Sequence, residues 1–244
     1  MSNKTKIQFL AHASFQITTP ENNIVLVDPW ITNNSFLPAG TGWPERIDLI
    51  LFTHGHEDHM DSKIVDIIRQ KTPKVIANPM VRWYLIEQGI PAHVFEGMNI
   101  GGTLPIMDMR VTMTNAFHIA HIMDPGGKAV FPHATVGFVL QLSDGLSVYF
   151  SGDTGVFGDM QLIGKIYKPD IAVLPIGNRF TMGPIEAAYA IRLLQVKHVI
   201  PFHYGTMAML TGTPERLKAL TGDLESLKIH ALKAGETLDT GTLG

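Results

Sequence analysis

The residues best suited to chemistry are four potential metal ligands within six consecutive positions. Three histidines and an aspartate share this segment with a glycine and a glutamate: His54-Gly55-His56-Glu57-Asp58-His59. Side chains so close in sequence cannot all point one way from a strand or a helix, because each element has a fixed periodicity. On a turn they can converge, and Gly55 permits the tight path. The segment therefore predicts a metal site on a turn.

Three further ligand types lie at or just beyond the ends of predicted strands. His118 and Asp153 each follow an apolar strand, and His203 directly follows the run from His198 to Phe202. Ligands in mixed and parallel sheets gather where strands end, at one edge of the sheet. We therefore expect these three side chains to join the 54–59 segment in one site.

The elements that must position these residues alternate along the chain. Apolar, β-branched runs predict strands at Lys6–His12, Phe15–Thr18, Asn23–Asp28, Asp48–Thr53, Lys74–Ala77, His93–Glu96, Arg110–Ala116, Val136–Leu142, Leu146–Ser151, Ile171–Pro175, His198–Phe202 and Ile229–Leu232. Helices are expected at Asp61–Gln70, Met80–Gln88, Gly158–Ile166, Pro184–Leu194 and Pro214–Leu220. Strands followed by helices occur twice, which favours two similar halves packed together in one domain, residues 1–244.

Turns and loops punctuate this pattern. Ser143-Asp144-Gly145 predicts a hairpin turn, since glycine tolerates the positive φ of tight turns. Thr32–Pro44 and Ile119–His133 are expected to be long irregular loops. Such loops in a compact domain often form lids or binding surfaces.

Composition and charge narrow the class of protein. The chain has 244 residues, 45% hydrophobic and 17% charged, which is typical of a compact folded protein. It has no cysteine, so disulfides, thiolate ligands and a cysteine nucleophile are excluded. We expect no membrane span and no targeting signal, and hence a cytoplasmic location. A net charge of −3 disfavours nucleic acid as a partner, although a local basic patch stays open.

The ligand pattern resembles the metallo-β-lactamase superfamily over nearly the whole chain. Other pieces point to its cytosolic, largely uncharacterised metal-dependent hydrolases, near the ascorbate-phosphate lactonases and the N-acylethanolamine phospholipases: Leu10-Ala11-His12-Ala13-Ser14-Phe15, Val27-Asp28-Pro29-Trp30, Pro175-Ile176-Gly177, Phe180-Thr181-Met182-Gly183-Pro184 and Pro201-Phe202-His203-Tyr204-Gly205-Thr206. The resemblance implies an α+β fold, a four-layer αβ/βα sandwich of two mixed β-sheets flanked by helices, with the site at one edge.

The resemblance also implies a division of the ligands between two divalent ions. One ion would take His54, His56 and His118; the other would take Asp58, His59 and His203, with Asp153 bridging both. Three neutral imidazoles leave one tetrahedral position open for water, as catalytic zinc sites require. The nitrogen and oxygen set suits zinc, but also manganese, iron or nickel. The expected nucleophile is a hydroxide activated by both metals, and Asp58 is the residue expected to steer it.

Residues around the ligands are candidates for support or substrate contact. Asp28 is expected to orient a ligand histidine, because such histidines usually donate their second N–H to a carboxylate or carbonyl. His12 and His121 are candidates for substrate or leaving-group contact. Hydrogen bonds at the rim are expected from Asn178, Thr181 and Tyr204. The remaining candidates are weaker: His133 has less claim to contact substrate, and His93, His198 and His230 are expected to be structural.

The expected activity is hydrolysis of a small ester, lactone or phosphodiester. A nucleic-acid-processing nuclease is an alternative, which salt-dependent RNA binding would revive. A non-hydrolytic metal-binding module on the same scaffold is another, although all seven expected ligands are present. A β-lactamase proper is not expected, because no secretion signal is expected and the segments around the ligands resemble another branch. The sequence does not assign the substrate, and it is compatible with a homo-oligomer.

Overall fold

A computed structural model describes residues 3–124 and 126–243, so Met1, Ser2, Pro125 and Gly244 lie outside the described residues. Two mixed sheets carry the fold. The first has six strands in the order β13-β1-β2-β3-β4-β5: β1 (Lys6–Ala11), β2 (Ser14–Thr18), β3 (Ile24–Val27), β4 (Leu49–Phe52), β5 (Lys74–Ala77) and β13 (Thr237–Asp239).

The second sheet has seven strands in the order β12-β11-β10-β9-β8-β7-β6. Its strands are β6 (Thr103–Ile106), β7 (Met109–Met123), β8 (Ala129–Leu142), β9 (Ser147–Phe150), β10 (Ile171–Pro175), β11 (His198–Phe202) and β12 (Lys228–Ile229). Strands β9 to β12 pair in parallel, whereas β6 to β9 pair antiparallel. The Ser143-Asp144-Gly145 turn joins β8 to β9 as predicted, with Gly145 at φ 89°.

Helices cover the outer face of each sheet. They are α1 (Ile64–Lys71), α2 (Pro79–Glu87), α3 (Met160–Tyr167), α4 (Pro184–Leu194) and α5 (Pro214–Leu220), with short 3₁₀ turns at Ala92–Val94 and Thr240–Thr242. Two helix starts follow from local chemistry: the Asn78 side chain caps α2, and the Thr213 side chain caps α5. Among the described residues, no helix is long and apolar enough to cross a membrane.

Alternation along the strands builds the layers. In β4, Leu49 and Leu51 face a core between the two sheets, while Ile50 and Phe52 face a second core under α1 and α2. A third core lies between the second sheet and α3 to α5. The centre of the inter-sheet core is aromatic, with the rings of Phe15 and Phe150 5.6 Å apart. The protein is thus the predicted α+β sandwich with helix, sheet, sheet and helix layers.

Two sequence predictions were wrong. The segment His93–Glu96 is not a strand: a 3₁₀ turn occupies Ala92–Val94, and only Phe95 bridges to Val75. The expected loop Ile119–His133 is instead mostly regular structure, because β7 and β8 continue to Met123 and from Ala129. Gly126 and Gly127 favour a loop, but they occupy only the short turn between the two strands. Strands β6 and β13 were missed because both are short, and Pro105 interrupts the first.

Candidate metal centre

Strand ends from both sheets bring the predicted ligands together. The segment from residue 54 follows β4, Asp153 lies three residues beyond the end of β9, and His203 follows β11 directly. His118 lies instead within β7, past the point where its prediction ended. The long β7–β8 hairpin extends past the edge of the first sheet. His118, although it lies inside a strand, can therefore join a site formed at strand ends.

The first ligand group consists of His54, His56 and His118. Their nearest ring nitrogens all lie within 4.8 Å of one another. Burial is the main reason why the pKa of each imidazole lies below its ordinary value, and with His118 nearby that of His56 falls to about 4. Neutral imidazoles with free lone pairs are the form in which histidine binds a metal.

The second ligand group contains Asp58, His59 and His203, joined by His12, again with ligand atoms within 4.8 Å. The Nε2 atom of His203 lies 3.5 Å from Asp58 Oδ2. Burial alone would lower the pKa of His203, but neighbouring Asp153 raises it to about 9. The pKa of His59 is raised by Asp153 and Asp58 despite complete burial. Carboxylates therefore favour a positive charge at this place.

Asp153 stands beside both histidines of the second group. Its Oδ1 is 3.3 Å from His59 Nε2, and its Oδ2 is 3.2 Å from His203 Nε2. Burial raises the pKa of this carboxyl, but His203 and His59 hold it well below its ordinary value, so it is ionised. The residue before Asp153 is a glycine for a steric reason: a Cβ at Gly152 would meet Val136 O at 2.6 Å. The backbone is packed too closely for any other residue.

Unpaired polar atoms test whether this set fits a metal. Four buried atoms of the site have no hydrogen-bond partner: His54 Nε2, His59 Nε2, His203 Nδ1 and Asp153 Oδ1. Leaving a buried polar group unpaired costs ~1–3 kcal/mol, so such groups call for an explanation. Two imidazole nitrogens and a carboxylate oxygen facing one small region are what a divalent ion would satisfy. The residues present therefore fit a metal centre.

One carboxylate, Asp28, sets the orientation of two ligand histidines. Its Oδ2 accepts from His59 Nδ1 at 2.9 Å and from the Thr53 hydroxyl at 2.6 Å. Since the Thr53 hydroxyl donates to Asp28, its oxygen accepts from His54 Nδ1 at 2.9 Å. Both histidines thus carry their proton on Nδ1 and leave Nε2 free for a metal. Asp28 adopts φ 46°, a strained conformation at a functional edge.

His12 lies behind the site, not in the cleft. It is 1% exposed, and its Nε2 lies 3.0 Å from Asp58 Oδ2. An ionised carboxylate only accepts, so this nitrogen donates. Burial lowers the pKa of His12, and the neutral ring accepts from the Thr206 hydroxyl at Nδ1, 2.7 Å away. The structure therefore places His12 to hold Asp58, whereas contact with substrate was the sequence prediction.

The β7–β8 hairpin contributes two more histidines. His121 lines the cleft with its ring 5.0 Å from that of His56. His133 is buried, and its Nε2 accepts the Gly55 N–H at 3.1 Å while Nδ1 donates to Phe131 O at 2.6 Å. At Gly55, a Cβ would meet Ile122 Cγ1 at 2.4 Å. The hairpin thus packs directly against the turn formed by residues 54–59, and only glycine fits at position 55.

The three rim candidates take other positions. Asn178 donates to Thr211 Oγ1 at 3.4 Å, and Thr181 donates to Met182 O at 3.3 Å. Tyr204 packs against the core under α3 to α5. None of the three belongs to the described residues that line the cleft, although Phe180 of the same segment does. Their predicted contact with substrate stays a prediction.

Sequence reasoning missed three supporting residues. Thr53 and Thr206 stand in segments that the sequence analysis singled out, and a hydroxyl beside a ligand was the available clue. His133 had no comparable clue, because it lies 78 positions from the Gly55 N–H that it accepts.

Comparison with known proteins places the chain among metal-dependent hydrolases. The family model described as "Beta-lactamase superfamily domain" matches residues 23–204. A metal-dependent hydrolase from Rubrobacter xylanophilus is 43% identical over 235 residues, covering 96% of each chain. A metal-dependent hydrolase from Chloroflexus aurantiacus is 40% identical over 237 residues, covering 95% of this chain and 96% of the relative.

Solved structures share the fold. A metallo hydrolase from the hyperthermophilic archaeon Ignicoccus hospitalis superimposes with a TM-score of 0.81 at 28% identity, covering 97% of this chain and 98% of the other. The match therefore covers nearly the whole of both chains.

Proposed function

The chain belongs to the metallo-β-lactamase superfamily of metal-dependent hydrolases, and we propose that it hydrolyses a small ester, lactone or phosphodiester at a centre of two divalent ions, zinc being the expected metal. The observation that carries the proposal is the pair of adjoining ligand groups, in which His54 Nε2, His59 Nε2 and Asp153 Oδ1 are buried without a hydrogen-bond partner. His54, His56 and His118 would hold one ion. Asp58, His59 and His203 would hold the other, and Asp153 would bridge them.

The bound ions would supply acidity: they lower the pKa of water from 15.7 toward ~7 and polarise a carbonyl or phosphoryl oxygen. The protein supplies orientation. Asp28 and Thr53 fix the tautomers of His59 and His54, so that neither ring has to turn before it can bind. His12 and Thr206 hold Asp58 from behind in the same way.

Asp58 would act on the attacking water. Burial raises the pKa of this carboxyl, but His59 and the hydrogen bond from His12 outweigh burial and lower it, so Asp58 stays ionised. Its side chain is 25% exposed and lines the cleft. An ionised carboxylate at that place accepts a hydrogen bond from water and orients it. His121, which lines the cleft beside His56, would contact the substrate.

Counting metal ions tests the proposal. The protein, reconstituted with zinc and freed of loose metal, should contain two ions per chain by mass spectrometry. Asp153→Asn should lower that content at both positions, and His56→Ala should remove one ion; both should lower kcat/KM more than the ~10–100-fold that loss of an outer hydrogen-bond partner costs. His93→Ala, on the exposed 3₁₀ turn, is the control.

The reaction class is tested by a screen of the reconstituted protein. Lactones, carboxylic esters, phosphodiesters and β-lactams should be compared at equal concentration, with chelated protein as the blank. Metal-dependent turnover of one of the first three classes is expected. One ion or fewer per chain, or turnover that survives chelation, would contradict the two-metal proposal.

A further inference from the structure

A cleft of about 990 Å³ opens directly onto the ligand groups. Asp58, His118 and His203 lie in its floor, and its walls come from the segment after β3, from α1, and from the β7–β8 hairpin. Any substrate that reaches Asp58 must rest against these walls. Their chemistry therefore selects the substrate.

The walls are largely apolar. Side chains from six different segments contribute hydrophobic surface: Trp30, Val65, Tyr84, Met123, Phe180 and Met207. Phe180 is 49% exposed and Met123 37%, so both present apolar surface to the cleft that they line. The surface is concave and lies beside the reactive groups, as in small-molecule sites.

Among the described residues that line the cleft there is no lysine or arginine, whereas three carboxylates besides Asp58 and Asp153 do line it: Glu57, Asp61 and Asp124. Backbone N–H groups satisfy two of them, since those of Ile31, Thr32 and Lys63 donate to Asp61, and those of Gly126 and Lys128 donate to Asp124. Glu57 is exposed at the cleft. The nearby cation Arg179 lies over the Phe180 ring, 5.7 Å from its centroid, and does not line the cleft.

From these walls we infer, on the premise that the proposed hydrolase function holds, that the substrate is a neutral ester or lactone bearing an apolar acyl chain. Phosphodiesters and substrates with a distal carboxylate are disfavoured. Sites that bind phosphate or carboxylate groups commonly use arginine, lysine or clustered backbone N–H groups. This cleft instead has no lysine or arginine among its described lining residues, and it carries the exposed carboxylate of Glu57. An apolar chain loses no such interaction and removes wall surface from water.

Met123 is the specificity residue that this inference singles out. It lines the cleft near the end of β7, 37% exposed. Met107, just before the start of the same strand, is 42% exposed and lies far along β7 from the cleft. Substituting lysine for either methionine changes length little and adds one positive charge. The two variants therefore form a matched pair.

Matched substrates with one leaving group test the inference on the zinc-reconstituted protein. The p-nitrophenyl esters of octanoate, acetate and singly esterified octanedioate differ only in the acyl part. Each buried methylene contributes up to about fourfold, so kcat/KM for octanoate should exceed that for acetate by at least about 30-fold. The octanedioate ester should fall at least about tenfold below octanoate. Equal or better turnover of octanedioate, or of bis(p-nitrophenyl) phosphate, would overturn the inference.

The matched variants sharpen that test. Met123→Lys should lower kcat/KM for the octanoate ester and raise it for the octanedioate ester, which together shift the ratio at least about tenfold. Met107→Lys should leave the ratio within about twofold of the wild type. A ratio that moves equally in both variants, or in neither, would show that the wall at Met123 does not select the acyl chain.

A binding measurement separates this inference from the proposed function. Octanamide and its analogue with a carboxylate on the far carbon are titrated calorimetrically into the same zinc-loaded protein. Tighter binding of octanamide supports the inference even if no ester is turned over, in which case the hydrolase proposal alone fails. Turnover of esters with preference for the carboxylate analogue would leave the hydrolase proposal standing and overturn the substrate class.

Discussion

Histidines meet at two places in this molecule, and their surroundings differ. At one edge of the sandwich the ligand histidines face Asp58, Asp153 and Asp28. At the other end of β11, His198 and His230 stack with ring centroids 5.3 Å apart, and Nδ1 of the first lies 3.0 Å from Nε2 of the second. Among the described residues, neither ring of this pair makes an ion pair with a carboxylate.

The difference lies in which nitrogens remain free. In the candidate centre, each of the rings His54 and His59 is held through Nδ1, so that Nε2 faces the site without a partner. In the distal pair one nitrogen of each ring is used up by the other ring. Clustering of histidines alone therefore does not make a metal site. A metal site also needs hydrogen bonds that fix each ring through one nitrogen and leave the other nitrogen free to bind the ion.

Removing the carboxylate that holds two rings should have the largest effect on this contrast. Asp28→Asn deprives His59 and, through Thr53, His54 of a fixed tautomer, so zinc affinity should fall ~10–100-fold. Competition with a chelating dye measures it. Asp48→Asn is the control, because Asp48 accepts the Ile24 N–H at 2.7 Å on the same sheet but far from the ligands. Equal losses in both variants would mean a general effect on folding.

This contrast was only partly accessible from sequence. The 54–59 segment, Asp153 and His203 were predicted from ligand types at strand ends, whereas His118, predicted just past a strand, lies within β7. Apolar, β-branched runs predicted most strands. The hairpin of β7 and β8 was mistaken for a loop, so His133 was undervalued. Side-chain hydrogen bonds such as His133 to Gly55 join residues 78 positions apart. Local periodicity carries no information about such pairs.

A smaller effect is expected from the histidine that holds Asp58. His12→Phe removes the donor to Asp58 Oδ2 but keeps a ring of similar size in the buried space. We expect metal content to stay within measurement error and kcat to fall about tenfold, since a hydrogen bond to a charged group contributes ~1.5–3 kcal/mol. Thr206→Val, which loses only the second hydrogen bond of the pair, should lie between this variant and the wild type. An unchanged kcat in His12→Phe would contradict a positioning role.

Stability rather than activity should respond at His133. His133→Phe leaves the buried Gly55 N–H without an acceptor, so the free energy of unfolding should fall by ~1–3 kcal/mol. Chemical denaturation measures the change. His93→Phe, at an exposed position, should have an effect within about 0.5 kcal/mol of zero. If the two variants were equally stable, the hydrogen bond between His133 and Gly55 would not contribute to the stability of the fold.

The distal pair should give the smallest response, and only to pH. Burial, helped by Lys228, lowers the pKa of His198, and burial together with His198 lowers that of His230. The unfolded chain therefore binds these protons more tightly than the folded one, so the pair's contribution to stability is complete above about pH 6.5 and is lost as pH falls through the lower folded pKa values. Lys197 and Asp170, which act on His198 with opposite sign, are present in both proteins compared below.

His230→Asn removes one of these titrations and lowers the cost of protonating the other ring. Between pH 7.5 and 5.0 the wild type should lose more thermal stability than the variant, by no more than about 2–4 °C in Tm. The metal centre also contains titratable groups, but it is identical in both proteins, so its contribution cancels in the difference. Metal content at pH 7.5 should be unchanged. A loss of bound metal in His230→Asn would show that the two histidine groups are coupled along β11, and the contrast between them would fail.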